Sequence, residues 1–283
     1  NFEGEINDLT LYDLAYYNYH DSLITYNLTS FDNNLLMKLL VVVSRIAKMP
    51  IDDVSRLGVS NWIRSMLYFE HRKINALIPK NSELRTKGDS NTEAMVKGKK
   101  YKGGLVVEPK SGIFFDITVL DFASLYPSII KVHNLSYETV RCLHNECKTN
   151  LIPETDHWIC KKQRGITSLI IGSLRDLRVN YYKRISGADS ISTEDQNLYT
   201  VIAQALKVIL NASYGVMGAE IFPLYCLPVA DATTAIGRFS IKSTIKKCQD
   251  LKINVVYGDT DSIFLEKPSK QQIDIITKWS KEN

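Results

Sequence analysis

Asp121 in DFASLYPSII, with Asp259 and Asp261 in YGDTDSIF, are the residues whose types and spacing best fit chemistry. Each stretch is an apolar run that reads as a buried strand, where a carboxylate is costly unless something positive rests on it. Asp121 and Asp261 stand 140 positions apart, so only a fold can bring them together. Three carboxylates so gathered suit a pair of hard cations with oxygen ligands and room for phosphate. The chemistry is then phosphoryl or nucleotidyl transfer. For any one aspartate, the plain alternative is a solvated strand end.

A second set lies in KVILNASYG, where Lys207, Asn211 and Tyr214 are spaced i, i+4 and i+7 and share one helical face. Taken alone, that face is a solvated stripe. Its context changes the reading. DFASLYPSII resembles motif A of the B-family DNA polymerases, KVILNASYG resembles motif B, and YGDTDS (Tyr257 to Ser262) resembles motif C. YKGG (Tyr101 to Gly104) is similar to the short motif that family carries between its exonuclease and polymerase parts. The four occur in the family's order and tie together most of residues 101–266. The flanking HNLSYETV, GSLRDLRVNYYK and GAEIFPLY are most similar to archaeal members.

The resemblance implies roles residue by residue. Asp121 and Asp261 would ligate two Mg²⁺ ions together with the backbone carbonyl of Phe122, and Asp259 would be a third carboxylate. Lys207 and Asn211 would bind the incoming dNTP, and Tyr214 with Gly215 would border the nascent base pair. Ser124, Leu125 and Tyr126 of motif A would line the same nucleotide, with Tyr126 under the sugar excluding a 2′-hydroxyl. Tyr101, Gly103, Gly104 and Thr260 would contact DNA. The first fingers helix departs from the family's Arg followed four residues later by Lys. Here the fourth residue after Arg178 is Tyr182, and Lys183 comes one later. Arg178 is expected on the triphosphate, with Arg175 its competitor; pairing of either with Asp176 is the plain alternative.

The elements that must position these residues give an α+β expectation: an antiparallel palm sheet backed by helices, a projecting two-helix fingers hairpin and a helical N-terminal segment. Residues 8–48 and 52–78 read as helical, and 80–100 as a linker. LVVEP and IFFDITVLD read as strands about a turn at Lys110 to Gly112, and ASLYPSIIK as a helix interrupted or offset by Pro127. Residues 167–185 and 194–213 read as an antiparallel helical pair, with Thr193 and Gln196 at capping-box spacing. Residues 229–250 read as another helix, and INVVYGD with DSIFLE as a tight hairpin tipped by Thr260. No closing element is expected after that hairpin. By resemblance, 1–30 would end an exonuclease domain, with Tyr17 and Asp21 from its last motif. Residues 31–100 would be a helical connection and basic linker, 101–165 the first part of the palm, 166–216 the fingers, and 217–283 the rest of the palm. The thumb would then lie outside the chain.

Bulk properties are those of an ordinary globular protein: 283 residues, 23% charged, 45% hydrophobic, net charge +4. No apolar run approaches 18 residues and no signal peptide is visible, so no membrane role is expected. Lys80 to Lys102 holds seven Lys or Arg against three acidic residues, a plausible phosphate-backbone contact beside YKGG. Cys142, His144, Cys147, His157 and Cys160 cluster within 19 residues. Zinc is conceivable there, but the spacing is irregular and lacks CxxC, so reduced thiols are the expectation. The expected partners are primer–template DNA and dNTPs, with a sliding clamp reached through regions outside the chain. The site of action would be the cytoplasm at the nucleoid for an archaeal source, or the nucleus for a eukaryotic one. The rivals are a DNA-binding polymerase remnant without activity, a proofreading nuclease and a small-molecule nucleotidyltransferase.

Overall fold

The computed structural model describes residues 9–88, 101–188 and 191–282. Residues 89–100 of the basic segment Lys80 to Lys102, with Lys97, Lys99 and Lys100, therefore lie outside the described residues, as does the tip of the fingers hairpin. Helix α1 (Leu11–Ala47) opens the chain, capped by the Thr10 side chain. It is broken where Phe31 turns extended and Asp32, Asn33 and Asn34 adopt left-handed backbone. Asp and Asn tolerate that region better than other side chains, so FDNN divides what the apolar spacing reads as one helix. The following helical stretch is also two pieces, α2 (Ile51–Arg56) and α3 (Val59–Lys73), followed by the short α4 (Asn81–Arg85).

Strands β1 (Val106–Val107) and β2 (Ile117–Asp121) are shorter than the sequence suggests. Residues Ile113 and Phe115 are exposed and form no strand. Helix α5 (Leu125–Val132) follows Asp121 at once. Pro127 falls in its first turn, where a missing N–H costs nothing, so the helix is neither interrupted nor offset. The fingers run out along α6 (Ile166–Asp176), a π-helical turn (Leu177–Tyr182) and α7 (Lys183–Ile185), and return along α8 (Thr193–Met217). The cap of α8 is Ser192, whose Oγ accepts from the Asp195 N–H at 3.1 Å. The N-cap is therefore one residue earlier than Thr193.

Helix α9 (Leu227–Asp250) leads into the hairpin β3 (Asn254–Asp259) and β4 (Ser262–Glu266). A closing helix, α10 (Lys270–Glu282), does follow that hairpin. The sheet order is β1-β3-β4-β2 with every pairing antiparallel, so β1 and β2 form the two edges. Its covered face packs Leu120, Ile263 and Leu265 on Ile241 and Cys248 of α9 and Ile276 of α10. A larger core joins α3, α5, α6, α8 and the start of α9 through Ile63, Leu67, Ile130, Ile171, Ile209, Leu210 and Val229.

Among the described helices, α8 alone is long and apolar enough to cross a membrane by length and composition. Its apolarity serves the core instead: Ile202, Leu206, Ile209, Leu210 and Met217 are all buried. Reading it as a hydrophobic stripe with Lys207 and Asn211 on the exposed side explains both properties.

Candidate active site

The sheet register assembles the carboxylates. Asp121 of β2 and Asp259 of β3 each pair with Ser262 of β4, one from either side. Residues in register across neighbouring strands share a face, and strands lie about 4.8 Å apart. Asp121 and Asp259 therefore sit on the uncovered face with Cα atoms roughly 10 Å apart. Asp261 comes from the two-residue loop at the end of the hairpin. Its carbonyl accepts from the Phe122 N–H at 2.9 Å, which fixes the residue after Asp121 to the residue before Ser262. Asp121 and the pair Asp259 and Asp261, far apart in sequence, thus meet at one end of the sheet.

Their environments differ. Asp259 is committed: Thr260 Oγ donates to its Oδ1 at 2.9 Å, and the Tyr257 hydroxyl lies 3.4 Å from Oδ2. Asp261 is held up by burial and then by the charges of Asp121 and Asp259, which raise its carboxyl above the usual range despite a backbone hydrogen bond. That mutual repulsion is what a divalent cation would relieve. The donor set, carboxylates with the neighbouring Phe122 carbonyl, is the hard oxygen set that Mg²⁺ takes. The residues present therefore fit the ion. One expectation needs correction: β2 is an edge strand, and Asp121 is exposed rather than buried in an apolar run.

Two residues beside the carboxylates have positive φ without being glycine, Ser124 at 56° and Thr260 at 51°. Such backbone is uncommon, above all for β-branched Thr260, and is tolerated only where its surroundings fix it. Thr260 is fixed by Gly104 of YKGG and the Leu105 that follows it. Its N–H donates to the Leu105 carbonyl at 2.8 Å, and a Cβ on Gly104 would meet its Oγ1 at 2.7 Å. Ser124 caps α5, and its Oγ accepts from Arg178 Nη1 at 3.1 Å.

Tyr126, on the first turn of α5, lies with its ring centroid 4.5 Å from that of Tyr214 on α8. Burial, followed by the influence of Tyr214 and Asp261, raises the Tyr126 hydroxyl well above its ordinary value, so it stays protonated. Tyr101 is raised in the same way, by burial and then by Tyr214 against its hydroxyl. Motif A, motif B and YKGG thus converge on one aromatic cluster. Leu125 departs from the expected set, because its side chain is buried in the core and only its backbone can face a ligand. Lys207, Asn211 and Gly215 are exposed on α8, and nothing lies within 4 Å of where a Gly215 Cβ would be.

The two competing arginines take different partners. Arg175 bonds Ser128 and pairs with Asp176 at 3.2 Å. Arg178 reaches the start of motif A and α8, with Nε on the Ala203 carbonyl at 3.1 Å and Nη1 on Ser124. The turn holding Arg178 is π-helical. Hydrogen bonding from i to i+5 brings the fifth residue round to where the fourth would lie in an α-helix. Lys183, exposed and one residue late by the α-helical pattern, is thereby returned to the face of Arg178, while Tyr182 packs near Tyr199. Tyr17 and Asp21 are exposed on α1, and among the described residues no metal-ligand group includes Asp21.

Sequence reasoning missed Arg238. This fully buried arginine of α9 donates from Nη1 to the carbonyls of Lys102 and Gly103 at 2.8 and 2.9 Å, and from Nε to Glu154 at 2.9 Å. Burial opposes ionisation of Glu154, but its bonds to Lys242 and Arg238 hold its carboxyl below the usual range. A lone arginine in a helical run carries no spacing signal. The cysteines are free thiols, as expected, and the fold gathers them: Cys142, His144, Cys147 and Cys160 bring one ligand atom each within 4.8 Å of all the others. His157 is excluded, since Arg141 donates to its Nδ1 at 2.8 Å and its Nε2 faces Asp231 at 3.2 Å.

The family model described as DNA polymerase family B matches residues 49–281. The chain belongs to the B family of DNA polymerases. DNA polymerase 1 of Sulfurisphaera ohwakuensis is 47% identical over 280 residues, covering 98% of this chain and 32% of that protein. DNA polymerase 1 of Saccharolobus solfataricus is also 47% identical over 280 residues, with the same two coverages. The solved family B DNA polymerase of the hyperthermophilic archaeon Pyrobaculum calidifontis superposes with a TM-score of 0.63 at 28% identity, covering 93% of this chain and 34% of that one. The chain thus spans about a third of the length of the curated relatives it matches. The three relatives named here are archaeal, as the flanking segments suggest.

Proposed function

We propose that this chain is the catalytic centre of a template-directed DNA polymerase, transferring a nucleotidyl group from a dNTP to a primer 3′-hydroxyl. The observation that carries this reading is the convergence of Asp121 and Asp261 beside the Tyr126–Tyr214 pair. Metal chemistry and a shaped nucleotide pocket then occupy one place. Asp121, Asp261 and the Phe122 carbonyl would hold Mg²⁺, with Asp259 as a supporting carboxylate that keeps Thr260 in position. Two such ions would activate the primer hydroxyl and neutralise the leaving pyrophosphate.

The remaining tasks belong to the chain's own side chains. Arg178, held by Ser124 and the Ala203 carbonyl, and the exposed Lys183 and Lys207 would offer cations to the triphosphate, Lys207 standing roughly 10 Å from Tyr214 along α8. Charge already in place where negative charge develops is worth more than charge that must reorganise. Asn211 offers an amide on the same face, and the open surface over Gly215 admits a base pair. Tyr101, Gly103, Gly104 and Thr260 form a continuous strip that would follow the DNA backbone, and duplex pairing supplies sequence information. The Tyr126 ring, locked between Tyr214 and Gly237, where an added Cβ would lie 3.2 Å from it, would sit under the sugar.

Tyr126→Ala tests this reading. Removing the ring should raise ribonucleotide incorporation relative to deoxyribonucleotide by about 10-fold or more, the scale of a lost steric contact in a pocket. Measured as the ratio of kcat/KM for a dNTP and its rNTP, an unchanged ratio in the folded variant would remove Tyr126 from the sugar site.

A further inference from the structure

We propose that Cys142, His144, Cys147 and Cys160 form a structural zinc site that closes the loop between α5 and the fingers. All four donor atoms lie within 4.8 Å of one another, and His144 Nδ1 is 3.4 Å from Cys160 Sγ. In a tetrahedral zinc site, with Zn–S near 2.3 Å and Zn–N near 2.0 Å, a thiolate and an imidazole nitrogen are about 3.6 Å apart. The ligand cage is therefore close to formed. Three thiols and an imidazole are a soft set, which selects zinc over the hard cations of the aspartate site.

The surroundings suit a metal-bound thiolate cluster. Cys142, Cys147 and Cys160 are 4%, 0% and 3% exposed and make a small core of their own against Trp158. The Lys161 N–H donates to Cys147 Sγ and the Lys162 N–H to Cys160 Sγ, each at 3.4 Å. Such outer bonds orient thiolate ligands and spread their charge. A disulfide is the poorer account, since any one bridge would strand a third buried thiol beside an imidazole. Four protein ligands complete a tetrahedron, so the site holds structure rather than supplying a reactive position.

The loop it would close matters to the polymerase centre. Bridges Val140↔Ile159 and Leu151↔Trp158 zip its two arms, and Trp158 Nε1 donates to the Cys142 carbonyl at 2.9 Å. Between those arms lies Glu154, the partner of Arg238, which in turn holds Lys102 and Gly103. A metal at the base of the loop would steady that chain of contacts. It would be a second metal site, independent of the aspartates and of the reading given to them.

Metal analysis of the reduced full chain, purified without chelator, should find about one zinc per chain. Cobalt titrated into the stripped chain should produce thiolate-to-metal charge transfer and the intense visible bands of a tetrahedral site. Cys147→Ser should lose the metal, while His144→Cys and the control Cys248→Ser should keep it. Chelation should lower the Tm of the parent chain. If Cys147→Ser does not fold, stoichiometry and the cobalt spectrum of the parent decide. A reduced parent chain with neither zinc nor a tetrahedral cobalt spectrum would overturn the site. So would a disulfide among Cys142, Cys147 and Cys160 found by mass after free thiols are blocked without reduction.

Discussion

At the scale of single residues, Asp261 carries a cost that function explains. Its carboxyl is raised by burial and by Asp121 and Asp259, so the folded chain holds a proton there more tightly than the unfolded chain does. The sign follows: stability is lost as pH climbs from the ordinary Asp value through the raised folded value, and the loss persists at neutral pH. Asp261→Asn removes the charge. Without divalent metal at pH 7 it should raise Tm slightly, on the order of 1 °C, and the gain should vanish in acid. Mg²⁺ should raise the Tm of the parent chain more than that of the variant. Calorimetry showing a lower Tm for Asp261→Asn at neutral pH, with equal Mg²⁺ effects, would contradict the repulsion argument. The carboxylates themselves were legible in the sequence because acidic pairs in apolar runs are rare. Arg238 was not, because only burial and two backbone carbonyls give it meaning.

At the scale of elements, the hairpin and the fingers show what spacing can and cannot tell. The β3–β4 hairpin reads directly, since alternating apolar residues flank a two-residue loop. The break in α1 at Phe31 to Asn34 does not, because its left-handed residues satisfy the same apolar spacing as a helix. Asn33 and Lys38 around that break both reach Glu194 at 2.8 Å, at the start of α8, so a long-range contact helps to fix it. The fingers give the clearest case. An α-helical count sets Lys183 one residue out of place, and the π turn over Leu177–Tyr182 restores it. Lys183→Ala should therefore behave as Lys207→Ala does, raising the apparent KM for dNTP and lowering kcat, by about 10-fold or more in kcat/KM. Tyr182→Phe should change kcat/KM little. Steady-state incorporation of a single nucleotide checks both, and an unaffected Lys183→Ala would show that the π turn does not serve the triphosphate.

At the scale of the whole molecule, one sheet face is covered and the other carries the aspartates, with α5 and α8 bringing tyrosines to its end. That division follows from strand alternation, yet the strand order could not be read from the chain. β1 and β2 are neighbours in sequence and lie at opposite edges, because β3 and β4 enter between them from residues more than 130 positions later. The cysteine loop was visible as a composition but its geometry was not, since Cys160 returns beside Cys142 through cross-strand bridges that a linear motif does not record. Together, we propose, these parts transfer nucleotides under template direction. The deciding experiment is primer extension on a primed template with Mg²⁺ and dNTPs at low salt, comparing the chain with its Asp261→Ala form. If the chain alone does not extend, the same pair is compared after grafting into the full-length DNA polymerase 1 of Saccharolobus solfataricus. Template-directed extension that falls more than about 10²-fold in the folded variant is the predicted result. Equal extension by the two would contradict the account.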